Sequence, residues 1–397
     1  MRHRTGNDVV QMESGVSDEA YQDHILPHVS RTFALTIPQL PPALRTPVTT
    51  AYLLCRIADT IEDEPALSAD ETFGFLQRFA AVVSGTAEAA PLAQELAGRL
   101  STRTLPPEHD LVRHMERVVR VTASLDEPQR AAIQRCVEVM CHGMHHFQHT
   151  ASVRGLARSS DMDSYCYYVA GVVGEMLTEL FCGYSPTIMR QHAALRDLAA
   201  SFAQGLQMTN ILKDFWEDRS RGACWLPQEV FIRHGVDLAR LSPEHYDARF
   251  HAGVLELIGV AHTHLRNALA YTLLIPAEEA GIRRFCLWAV GLALLTLRKI
   301  QRNPRFIAGE QVKVSRQAVL ATRILTSVAV RNDWMLERLF EQAASGLPLA
   351  ALSTVRRRYQ VATPASHASE PAVEHGHRPL QDHLENAERR SGRISGK

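Results

Sequence analysis

A charge excess of either sign is missing from this 397-residue chain, in which 43 Lys and Arg balance 43 Asp and Glu. A neutral chain offers nucleic acid no electrostatic footprint, so no nucleic-acid partner is expected. Aromatic residues are scarce at 7%, while Ala and Leu are plentiful, a balance that favours helix over sheet. No CxxC pair occurs among the seven cysteines, Cys55, Cys136, Cys141, Cys166, Cys182, Cys224 and Cys286. A zinc site is not expected at such spacings. Most of these thiols sit among apolar neighbours, as free buried cysteines of a reducing compartment do. The longest apolar run, about Phe285 to Leu297, is too short to span a bilayer as a helix. It reads as a buried helix or a pocket wall. Met1 to Asp8 is basic and polar with no apolar core behind it, so no signal peptide is expected. Strand alternation, hairpin signals and internal repeats are missing too.

What remains is helical periodicity in a chain that is 46% hydrophobic, ample for a sizeable core. Residues 1–16 read as a loose arm, 17–360 as a single all-α domain, and 361–397 as a polar tail expected to be disordered. One helix is predicted from about Pro47 to Asp63, with Pro47 in its first turn and Pro65 beyond its end. Others are predicted to begin near Asp163, to run from about Arg196 to Asp218, and to cover roughly Ile282 to Arg298.

Four segments can carry chemistry. In Asp59-Thr60-Ile61-Glu62-Asp63 the two aspartates are four apart and share a helix face, with Arg56 and Tyr52 on the same side. Like charges at that spacing repel unless a cation lies between them. Alone, the segment reads equally well as a solvated helix end. In Asn210-Ile211-Leu212-Lys213-Asp214-Phe215-Trp216-Glu217-Asp218, the residues Asn210, Asp214 and Asp218 climb one stripe, with Lys213, Arg219 and Arg221 close by. Magnesium binds through one or two carboxylates plus substrate phosphates, and Arg and Lys hold the remaining phosphate charge. Two acidic stripes, each beside basic residues, point to one prenyl diphosphate site. Ser30-Arg31-Thr32-Phe33 places an arginine among hydroxyls. Tyr165 to Gly174 carries Gly171 and Gly174 inside a helix at about 1 kcal/mol each relative to Ala, which implies close approach of another helix or of a bulky ligand. His142, His145, His146 and His149 have i,i+4 spacings but no carboxylate in register, and read as polar helix-face histidines.

These four segments resemble, in order and approximate spacing, those of the squalene and phytoene synthases over about residues 20 to 330. Trp225-Leu226-Pro227-Gln228-Glu229-Val230, Phe285-Cys286 and Val312-Lys313-Val314 look more like the squalene synthases. The resemblance implies an isoprenoid synthase helical bundle with a central cavity. It implies head-to-head condensation of two farnesyl diphosphates to presqualene diphosphate, then NADPH-dependent reduction to squalene. Asp59, Asp63, Asn210, Asp214 and Asp218 would hold Mg²⁺. Ser30, Arg31, Phe33, Arg56, Gln207, Lys213, Arg219 and Arg221 would bind substrate. Tyr165 would assist ionisation or proton transfer, and Lys313 and Arg316, with Asn210, would serve the cofactor. Lys313-Val314-Ser315-Arg316 departs from the family's Lys-x-Arg-Lys-Gly pattern, which bears on the reductive half. The competing readings are a sibling enzyme that stops at presqualene diphosphate or makes dehydrosqualene or phytoene, and a non-catalytic assembly factor of the same fold. The polar tail resembles that of bacterial soluble forms, so a cytoplasmic monomer is expected, with peripheral membrane contact left open.

Overall fold

A computed structural model describes residues 16–148, 152–245 and 247–352, and from Val16 to Leu352 they form one compact unit. The expected all-α bundle is what is observed. The only pairing between extended segments among the described residues is an isolated bridge, Leu156 to Pro227.

The first helix that bears on the site, α1, runs Pro42–Glu62. It starts earlier than expected, with Pro42 at its first position and Pro47 inside it. Pro47 removes the donor that Ala43 would have used, but Ala43 faces water, so solvent satisfies its carbonyl at little cost. Leu53, Leu54, Ile57, Ala58 and Ile61 are fully buried, and a helix that is apolar nearly all round belongs at the centre of a bundle. Helix α2 (Glu127–Gln148) lies against it.

The tyrosine-rich segment is not one α-helix. It comprises α3 (Ser159–Cys166), a π-helical stretch at Tyr167–Gly171, and α4 (Val172–Tyr184). Such stretches insert an extra residue per turn and are frequent at functional sites. A Cβ on Gly174 would collide with the carbonyl oxygen of Ala199 and stand 2.9 Å from its carbon. Gly174 therefore serves the close packing of α4 on α5 (His192–Ser220), not ligand contact.

Helix α5 packs along α6 (Ala248–Leu274), and both touch α7 (Ala280–Arg302). By length and composition α7 is long and apolar enough to cross a membrane. Residues such as Ile282, Leu294, Leu297 and Ile300 are nevertheless fully buried inside the protein, so it is a core helix, as its apolar run suggested. Two further helices close this side, α8 (Arg316–Ala329) and α9 (Asp333–Ala344). Arg283 of α7, itself almost completely buried, ties them in: its guanidinium donates to the carbonyls of Ile275 and Val330 at 2.7 and 3.1 Å and pairs with Asp333 at 2.6 Å. All seven cysteines are free and buried, as expected.

Candidate active site

The end of α1 faces the end of α5. Asp59 lies one turn before the end of α1 and Asp63 caps it. Asp214 and Asp218 lie in the last two turns of α5. Arg221 joins the two ends, reaching Asp218 at 2.5 Å and Asp63 at 3.4 Å. The two acidic motifs, 151 residues apart from Asp63 to Asp214, thus share one site. Arg56 stands 3.7 Å from Asp59 and Lys213 3.0 Å from Asp214.

Burial dominates the electrostatics here. It pushes the Asp59 carboxyl up to about 7, with Asp63 and Glu108 adding repulsion and Arg56 opposing. Asp218 is pushed to about 6 by burial, against the nearby Arg221, with Asp63 and Asp214 adding. Asp63, Asp214 and Glu62 are raised for the same first reason. Asp59 keeps 39% of its side chain exposed, so water screens part of this push, whereas Asp218 at 13% keeps more of it. Five acidic side chains around three basic ones leave carboxylate oxygens over, and such oxygens facing one another are the donor set a hard divalent cation takes. Among the described residues no three His, Cys, Asp or Glu side chains form a ready-made metal cage. Magnesium seldom uses one, since substrate phosphates complete its shell, so Asp59, Asp63, Asp214, Asp218 and the exposed Asn210 fit that role.

A pH dependence follows. A carboxyl with a raised pKa holds its proton more tightly in the folded than in the unfolded chain. Its stabilising effect is complete below about pH 4 and is lost as pH rises through about 7. Asp18, lowered to about 2 by Arg120 and Arg117, acts below that window. The thermal midpoint of the metal-free protein should therefore fall between about pH 5 and about pH 8, and Mg²⁺ should raise it more at the higher pH. Scanning fluorimetry at both values checks this; an Mg²⁺ shift equal at the two would contradict it.

Aromatic rings fill the interior beside the acids. Tyr165 is buried, stacks on Trp225 at 4.1 Å and meets the edge of Phe147 at 5.4 Å. Burial, then the charges of Glu62, Asp63 and Asp218, hold its hydroxyl well above the usual tyrosine range. Tyr165 is thus kept protonated next to both motifs. Phe33 leans on Tyr52 at 4.8 Å and faces Phe285 at 6.3 Å. Ser30 accepts the Phe33 N–H at 3.0 Å, just ahead of the short helix Phe33–Thr36. One crevice is lined by Leu35, Trp288 and Thr322 and another by Arg135, Glu175 and Arg196, and none of the four aspartates lines either.

A second cluster adjoins Asp214. Arg31, Lys213 and Lys313 all act on Glu310 and hold its carboxyl below the usual range, Lys313 most strongly through contacts of 2.8 and 3.0 Å. The turn Gly309–Val312 reaches α5 because the Gly309 N–H donates to Glu217 at 2.6 Å. A Cβ on Gly309 would stand 2.8 Å from an Asp214 side-chain oxygen, so a larger residue there would turn that carboxylate aside.

Arg219 is a correction. Its guanidinium donates to the carbonyls of Val153, Ala239 and Leu241 at 2.8, 2.9 and 3.0 Å. One residue past Asp218 it is turned about 100° off the acidic stripe, and it braces loops instead of binding diphosphate. Arg316 is exposed at the start of α8, while the half-buried Gln207 lies on the acidic stripe. His145 stacks on Phe73 at 3.7 Å and His146 meets the edge of Phe147 at 5.0 Å, in line with ordinary helix-face histidines. His149 lies outside the described residues. Sequence reading gave no role to Glu108, which pairs with Arg56 from 52 residues away, or to Glu310. Glu62 and Glu217 had a signal, each three residues after an aspartate of its motif.

Comparison with known proteins identifies the family and the fold. The squalene/phytoene synthase family model matches residues 26–318. Squalene synthase BSS of Botryococcus braunii is 28% identical over 361 residues, covering 88% of this chain and 73% of its own. Squalene synthase ERG9 of Candida albicans is 28% identical over 319 residues, covering 75% and 66%. This chain thus spans about two thirds to three quarters of those relatives. In fold it is similar to TcSQS solved with the ligand BPH1237, at TM-score 0.61 and 23% identity over 82% of this chain and 97% of that one. It is also similar to a dehydrosqualene synthase solved with a ligand, at TM-score 0.57 and 20% identity over 82% and 96%. With the family model matched across both acidic helices and the isoprenoid synthase fold shared with those structures, the chain belongs to the squalene/phytoene synthase family.

Proposed function

We propose that this protein condenses two farnesyl diphosphates head to head into presqualene diphosphate and then reduces that product to squalene with NADPH. The observation that carries the first half is Arg221, which bridges Asp63 and Asp218 and makes one site of two motifs. Loss of diphosphate leaves an allylic cation and an anion whose charge grows along the reaction. Arg56, Lys213 and Arg221 supply fixed positive charge to the anion. Bound magnesium would add Lewis-acid stabilisation of the leaving group. The protonated Tyr165 can donate a hydrogen bond or a proton, and its stacked rings exclude water that would quench the cation. Support for reduction comes from the relatives named squalene synthase, with Lys313 and Arg316 as the cations for cofactor phosphate.

One observation favours a second reading, a sibling that stops before reduction. Lys313 is already paired with Glu310 at 2.8 Å, and the Lys313–Arg316 segment carries one further cation, Arg316. Incubation with farnesyl diphosphate and Mg²⁺, with and without NADPH, separates the readings. Squalene that appears only with NADPH supports the full reaction. Presqualene diphosphate or dehydrosqualene in both arms supports the sibling, and a preference for geranylgeranyl diphosphate would overturn the choice of substrate.

A further inference from the structure

Helix α8 faces the wrong way for a core helix. Its inward residues include Thr322, Arg323, Thr326 and Ala329, whereas Leu320, Ile324, Leu325 and Val328 point to solvent, 54%, 54%, 52% and 74% exposed. Successive residues advance about 100°, so Leu320, Ala321, Ile324, Leu325 and Val328 form one outward stripe. A single exposed leucine needs no explanation, but a contiguous aliphatic stripe does. The inward hydroxyls of Thr322 and Thr326 donate to carbonyls one turn back, and the Arg323 guanidinium lies 4.7 Å over the Trp288 ring. The helix is therefore seated and cannot roll its apolar side inward.

We infer that this stripe docks on an anionic lipid surface. Charge complementarity selects that occupant. Helix α8 carries no Asp or Glu, and exposed arginines flank the stripe at each end, Arg316 and Arg331. Just beyond it, Trp334 is 63% exposed, with Arg338 5.5 Å over its ring. Aliphatic side chains on one seated helix, with an indole at the start of the next and bordering guanidinium groups, are what an interfacial surface presents: apolar groups enter the acyl boundary while cations meet headgroup phosphates. Of the three acids on α9, Asp333 turns to Arg283 and Glu341 to Arg266 at 2.9 Å, while the exposed Glu337 stands next to Arg338 in sequence. The inference stands whichever isoprenoid the site makes.

The test is flotation of the full chain with phosphatidylcholine vesicles, with and without phosphatidylglycerol, comparing wild type with Ile324→Glu/Val328→Glu. Both positions are exposed, so the variant should fold and turn over detergent-dispersed substrate as wild type does. Wild type should float with the anionic vesicles, and the variant should partition roughly tenfold less or weaker. Equal flotation of the two overturns the inference. So does failure of wild type to float, which would leave the stripe to the chain's own residues after Leu352. A doubled mass without lipid, abolished by the same variant, would assign it to a second copy and overturn the inference as well.

Discussion

Asp59→Asn should lower the turnover of farnesyl diphosphate by about 10³-fold or more, while the metal-free protein melts no lower than wild type. In the proposed function the carboxylate would be one of the magnesium ligands on α1, and losing several kcal/mol of leaving-group stabilisation costs about a factor of ten per 1.4 kcal/mol. Stability moves the other way because Asp59 is held in an unfavourable charge state, its carboxyl raised to about 7 by burial and by Asp63 and Glu108. Asn removes that repulsion at nearly constant volume. Arg56 keeps its pairing with Glu108, so no buried charge is stranded. Single-turnover diphosphate release and a melting curve on the same preparation check both halves. Retained turnover, or lost turnover together with lost fold, would contradict the assignment.

Gly174→Ala should cost about 1–3 kcal/mol of stability and much of the activity. The added methyl would strike backbone, the carbonyl of Ala199 on α5, which cannot rotate aside as a side chain can. Relief requires α4 and α5 to separate, and α5 carries Asp214 and Asp218. Gly183 on the same helix is the control, because a Cβ there meets nothing within 4 Å. Gly183→Ala should be neutral or stabilise by up to about 1 kcal/mol. Chemical denaturation of both variants is the measurement. Equal effects would mean that the close approach of α4 and α5 is not what Gly174 provides.

Much of the site was legible in the sequence because helical spacing is local. Asp59 and Asp63 at i,i+4, and Asn210, Asp214 and Asp218 at i,i+4,i+8, must share faces once the segments are helical. Their convergence was an expectation from charge, and Arg221 is where it became geometry. Arg219 misled because adjacency in sequence is not adjacency on a helix. Glu108 was invisible because nothing local links it to Arg56. The start of α1 was misplaced because Pro47 looks like a first-turn residue, and only the exposure of Ala43 shows why it is tolerated further in. The π-helical stretch at Tyr167–Gly171 has no pattern signature and was missed. Helix α8 shows a related limit: periodicity identifies an amphipathic helix but not which side of it meets the core.

The account centres on a single magnesium–diphosphate site shared by α1 and α5. Inorganic diphosphate released from farnesyl diphosphate, followed against Mg²⁺ concentration in wild type, Asp59→Asn and Asp218→Asn, tests this most directly. The account predicts release that requires Mg²⁺, stops with chelator, and is lost alike in the two variants, one from each helix. Release that persists under chelation, or survives in either variant, would contradict it.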